Sequence, residues 1–139
     1  MNTKTNESTA QSFPEFCKVM TAFAENQIDY HRPKYYRVSK EAYKKIMKCY
    51  EEPRKTNEET DACAQEQRSV MESLQKELTS KLMFQSKQLE VCTDTCKDEK
   101  DMPCINNCGT QYMQNTTDEY DSVLGDYLKN YYGVSKTIN

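Results

Sequence analysis

Seven cysteines and a single histidine hold most of the reactive chemistry of this 139-residue chain. Four of the cysteines form two Cys-x3-Cys pairs, Cys92 with Cys96 and Cys104 with Cys108. Residues four apart share one face of a helix, so each pair presents its two sulfurs in the same direction. If the flanking helices fold back on each other, Cys96 meets Cys104, Cys92 meets Cys108, and nested disulfides staple a helical hairpin. The intervening segment, Lys97 to Pro103, suits a helix–helix connection, and Pro103 is tolerated in a first helical turn. Four thiolates from two such pairs can also satisfy a tetrahedral zinc site. Both chemistries are open at this point.

The remaining cysteines, Cys17, Cys49 and Cys63, are an odd set. Each can be a small buried hydrophobe, and a third bridge, Cys49 with Cys63, is the sharper alternative. His31 stands far in sequence from any partner nucleophile and is expected to cap or hydrogen-bond. Gly109, Gly125 and Gly133 build no phosphate-binding loop, the carboxylates spread along solvated faces, and a redox dithiol would prefer Cys-x-x-Cys. The chain reads as a non-enzyme, with no cofactor and no permanent metal.

The strings Val91-Cys-Thr-Asp-Thr-Cys96 and Pro103-Cys-Ile-Asn-Asn-Cys-Gly-Thr-Gln-Tyr-Met113 resemble the signature of the small Tim proteins of the mitochondrial intermembrane space. Leu89 and Tyr112 fall where that family places apolar or aromatic residues, and the similarity runs from about Val70 to Tyr132. The resemblance implies a helix-turn-helix with an outer pair, Cys92 and Cys108, and an inner pair, Cys96 and Cys104. It favours disulfides over zinc in the mature chain. It also implies assembly with related subunits in a hexameric ring.

The elements that must carry these residues are helical throughout. Only 36% of residues are hydrophobic, mean hydropathy is −0.99, and Gly and Pro are scarce. Such a chain completes its burial through disulfides, neighbours or both. After a polar arm over residues 1–12, an amphipathic stretch from Cys17 to Ile28 carries Val19, Met20, Phe23 and Ala24 at helical spacing. Tyr30 to Arg37, basic and aromatic around Pro33, reads as a loop. A second short helix starts near Ser39 with Tyr43, Ile46, Met47 and Tyr50 on one face, and Pro53 ends it. Asn57 is placed to cap a long helix, free of Pro and Gly from Glu58 to Asp98, which at 1.5 Å per residue reaches about 60 Å. Its apolar stripe runs Val70, Leu74, Leu78, Leu82, then Phe84, Leu89 and the cysteines. The second arm, Pro103 to about Tyr132, turns Tyr112, Tyr120, Leu124, Tyr127, Leu128 and Tyr131 inward. The predicted fold is all-α: a long disulfide-stapled hairpin over 57–139, preceded by an N-terminal extension over 1–56 with two short helices.

Nineteen basic against 22 acidic side chains give no general drive toward nucleic acid. No apolar run approaches the span of a bilayer, and the first residues resemble neither a secretory signal nor an Arg-rich transit peptide. Paired cysteines without such an address suit the intermembrane space, peripheral to the inner membrane. Arg32, Lys34 and Arg37, interleaved with Tyr30, Tyr35 and Tyr36, form either a solvated connector or a contact for anionic lipid headgroups. Two functions are expected from the resemblance. In the first, the extra N-terminal residues are docking material, and the chain is a structural accessory subunit of a large inner-membrane, respiratory-chain complex. In the second it is a soluble import chaperone that escorts hydrophobic membrane-protein precursors.

Overall fold

A computed structural model describes residues 7–134. The first six residues of the polar arm, the last five of the 57–139 segment and the side chain of Ile28 lie outside the described residues. The architecture is all-helical, as the sequence predicts: α1 (Phe13–Glu25), α2 (Gln27–Tyr30), α3 (Arg32–Glu51), α4 (Asn57–Asp94) and α5 (Met102–Tyr132). Two compact units are present. One comprises Met1–Tyr30 with Thr79–Tyr120, the other His31–Leu78 with Asp121–Asn139. This grouping does not follow the boundary at 56/57 read from the sequence, because N-terminal helices share a unit with parts of the long ones in both cases.

Several element boundaries differ from the sequence reading, and each difference has a local cause. α1 begins at Phe13 because the Ser12 hydroxyl accepts a hydrogen bond from the Glu15 N–H at 3.3 Å, and Pro14 falls in the first turn, where a missing N–H costs nothing. The basic and aromatic segment expected as a loop is helical instead: Tyr30 ends α2, His31 is the N-cap of α3, and Arg32 to Arg37 form the first turns of α3. Pro33 there opens a helix, as Pro14 does. The cap of α4 is Thr56 and not Asn57. Its hydroxyl accepts from the Glu59 N–H, and the Glu59 carboxylate accepts from the Thr56 N–H, both at 3.2 Å, a reciprocal capping box. α4 ends at Asp94 and tightens through i+3 hydrogen bonds from Thr95 and Cys96. Asp101 then starts α5, its carboxylate accepting from the Cys104 N–H at 3.4 Å.

In the first unit, Phe16 and Met20 of α1 join Ala10 and the α5 residues Ile105, Tyr112 and Met113 in one core, with Phe23, Leu82 and Leu89 packed at its edge. Phe23 meets Tyr112 edge-on, ring centroids 5.6 Å apart. Leu82, Gln85, Leu89 and Cys92 hold the inner side of α4, and Cys96 follows in the turn after it. Phe84, expected on that stripe, is 56% exposed. It lies about 100° around the helix from Gln85, and the seam advances by steps of three and four, so the neighbouring position cannot share it.

In the second unit, Val38, Ala42 and Cys49 of α3, Ala64, Leu74 and Leu78 of α4, and Val123, Leu124, Tyr127 and Leu128 of α5 are buried. Gln75 donates to the Tyr35 hydroxyl at 2.8 Å, and Tyr132 donates to the Gln67 side-chain oxygen at 3.2 Å. Tyr131, expected inward, is 49% exposed, and Tyr43, Met47 and Tyr50 face outward. Gly133 closes α5 with φ +66°; the Val134 N–H reaches back to the Leu128 carbonyl at 2.9 Å.

Candidate functional site

The structure brings the four motif cysteines together as Cys92–Cys108 and Cys96–Cys104, with Cα–Cα distances of 5.7 and 5.8 Å. Cys104 and Cys108 sit in the first two turns of α5. Cys92 lies in the last turn of α4, and Cys96 just past the helix in the tightened turn. The two bridges are neighbours: sulfurs of Cys96, Cys104 and Cys108 lie within 4.8 Å of one another. Sulfurs paired in disulfides have no thiolate to offer a metal, so the oxidised state excludes the zinc alternative at this place. With sequence separations of 8 and 16, the staples are worth about 2.5 to 3 kcal/mol each on chain-entropy grounds, and less together because one loop encloses the other.

A third bridge joins Cys49 of α3 to Cys63 of α4, Cα–Cα 5.8 Å. Cys17 is a free, exposed thiol on α1.

Compared with known protein families, characterised proteins and solved structures, the chain matches none.

The motif does more than carry sulfur. Asn106, inside the second Cys-x3-Cys, clamps the segment before α1. Its side-chain oxygen accepts from the Ser8 hydroxyl at 2.6 Å and the Ala10 N–H at 3.1 Å, and its amide donates to the Ala10 carbonyl at 2.8 Å. Thr110, one turn on, accepts from the Ser8 N–H at 2.9 Å. Beside the outer bridge, Phe84, Leu89, Val91, Cys92, Cys108 and Tyr112 border a groove of about 330 Å³, which Gln85, Gln88, Gln111 and Asn115 complete.

In the second unit His31 hydrogen-bonds through Nδ1 to Asp121 Oδ1 at 3.1 Å, and Lys34 Nζ approaches the same oxygen at 3.2 Å. Burial pulls the His31 pKa below its usual value, and the Asp121 charge and hydrogen bond only partly oppose this. The imidazole is therefore neutral near pH 7. Its place at the start of α3, tied to α5, is that of a positioning group. Tyr127 is pushed up to about 12, mainly by burial and then by its hydrogen bond to Glu77.

Sequence reasoning missed Asn106, Asp121 and Thr56. Thr56-Asn-Glu-Glu59 does carry a readable signal, the capping-box spacing. The partners of Asn106 and Asp121 lie about ninety or more residues away, and no local pattern reveals them. No described helix is long and apolar enough to cross a membrane.

Proposed function

We propose that this chain is a small Tim-like structural accessory subunit, held in a hexameric ring of related subunits and attached to a large inner-membrane, respiratory-chain complex on the intermembrane-space side. The twin Cys-x3-Cys resemblance supports the family and the compartment. The observation that carries the choice between a fixed subunit and a carrier is the Cys49–Cys63 bridge. It fastens α3 to α4 covalently, and Val38 and Ala42 of α3 are buried in their unit. A carrier that loads and releases clients needs its long-helix faces free, whereas a permanent subunit gains from having them covered and pinned. A non-catalytic role accords with a site built of disulfides and hydrogen bonds.

The second reading, a soluble chaperone for membrane-protein precursors, draws on exposed Met83, Phe84 and Val91 beside the groove at the outer bridge. Native-gel migration and co-sedimentation of the tagged full chain from gently solubilised mitochondria separate the two. Co-migration with a large complex is expected. A species running only near the mass of a six-membered ring overturns the subunit reading in favour of the chaperone.

A further inference from the structure

α3 differs in charge from everything else in the chain. Over Arg32–Glu51 it holds seven cationic side chains and two anionic ones, a net +5, although the whole chain is −3. The remainder therefore carries −8. One acid, Glu41, is largely covered and lies 3.5 Å from both Arg37 Nε and Lys44 Nζ; the other, Glu51, is the last residue. The outward face is thus cationic along nearly its whole length.

That face is also aromatic. Tyr36, Tyr43, Met47 and Tyr50 follow one another at steps of seven, four and three, the period of a single helical face. They are 58%, 67%, 63% and 59% exposed. Arg32 lies over the Tyr36 ring at 5.7 Å, at the start of the same stripe. Lys40 and Lys44 lie beside the stripe and Lys48 further around the helix, all three exposed.

We propose that the outer face of α3 is a docking surface for a bilayer rich in anionic phospholipid, with the helix lying flat at headgroup depth. Three features select a lipid surface over a protein partner. The cations are mostly lysines, which protein–protein interfaces tend to exclude and which extend readily over a lipid surface with their charges among the headgroups. The apolar stripe is tyrosine and methionine without Trp, Leu or Phe, a set that stops at the interface and does not insert deeply. Charge complementarity supplies the rest, each lysine near an anionic surface adding about fivefold to binding. The proposal does not rest on the accessory-subunit reading, because headgroup charge is met in the same way whatever the chain assembles with.

The test is flotation of the full-length oxidised chain with vesicles of phosphatidylcholine alone and of phosphatidylcholine mixed with phosphatidylglycerol. Binding to the mixed vesicles alone is expected, weakening as salt rises. The variant K40E/K44E/K48E should lose about a hundredfold or more. The variant K18E/K87E/K97E, with the same net-charge change on exposed residues elsewhere, should retain more than half of the bound fraction. Circular dichroism and non-reducing electrophoresis check that both variants fold and oxidise. A third variant, Y43S/M47S/Y50S, should bind more weakly at high salt, where the aromatic contribution stands alone. No binding to mixed vesicles, equal binding to both vesicle types, or equal loss in the two charge variants overturns the proposal. Binding to polyglutamate in place of vesicles overturns it too, and reassigns the face to an acidic protein.

Discussion

Phe16 stands where Gly109 has no side chain: a Cβ built on Gly109 would lie 2.5 Å from the Phe16 Cε1, 3.1 Å from the Ser8 Cβ and 3.2 Å from the Met20 Cε. The residue following the second Cys-x3-Cys is thus a place where α1 and the segment before it come close to α5. Gly109→Ala must displace a buried ring, at about 1 to 3 kcal/mol for overpacking, against about 1 kcal/mol gained in helix propensity. A net loss of about 1 kcal/mol is expected in denaturant unfolding. Adding Phe16→Leu makes room, so the double variant should lose less than the two single losses combined. A G109A protein more stable than the parent would show that the close approach is easily relieved.

Asn106 offers a second handle on the same unit. Asn106→Ala removes three hydrogen bonds to Ser8 and Ala10 while leaving both neighbouring bridges in place. At about 0.5 to 1.5 kcal/mol per bond, the loss is concentrated in the attachment of residues 8–10. Hydrogen exchange should therefore quicken at the N-terminus of α1 far more than in α5 near Tyr112. Uniform acceleration through the unit would mean that the clamp is part of the global core.

The contrast between these residues and the cysteines explains what the sequence made legible. Helical periodicity and the absence of Pro and Gly over α4 announce long helices, because those signals are local. Thr56 and Asp101 are also local, and the first was missed only because Asn57 is itself a good capping residue. Phe84 leaves the seam for a geometric reason: it lies about 100° around the helix from buried Gln85, and only the spacing of buried neighbours reveals which of the two faces inward. The basic and aromatic segment around Pro33 reads as a loop, yet in the first turn of α3 this proline is an initiator. The Asn106 clamp and the pairing of His31 with Asp121 depend on how distant segments meet, and composition holds no trace of that.

Replacing both Cys49 and Cys63 with Ser removes the bridge between α3 and α4 without leaving a lone thiol behind. The closed loop, with a separation of 14 residues, corresponds to about 3 kcal/mol of lost chain entropy in the unfolded state. Denaturant unfolding should register most of it. The twin bridges lie in the other unit, so non-reducing peptide mapping should still recover Cys92 with Cys108 and Cys96 with Cys104. Scrambled pairs in the variant would show that the third bridge guides the other two.

Cys96→Ser should impair accumulation of the protein in organelles more than Tyr35→Ala. The first leaves Cys104 unpaired beside the outer bridge and removes the shortest loop in the fold. The second removes the acceptor of one hydrogen bond from Gln75, a residue already exposed to water that can replace it. Equal, undiminished abundance of the two variants would make the inner staple dispensable.

His31 sets the pH response of the second unit. Because burial lowers its pKa from 6.5 in the folded chain, the unfolded state takes up a proton first as the solution is acidified. Stability from this group is therefore full above pH 6.5, falls as the pH drops through 6.5, and levels off below the lower folded value. The slope can reach about 1.4 kcal/mol per pH unit for one proton. Asp121 and Lys34 act on the ring in opposite senses: Asp121 draws the proton in, Lys34 repels it. His31→Asn retains a polar side chain near Asp121 but cannot titrate, so its stability should be flat over that interval. Urea unfolding at several pH values between 5 and 7.5, on parent and variant, measures the difference. A parent that becomes more stable on acidification through pH 6.5 would mean that the Asp121 carboxylate, and not burial, governs the imidazole.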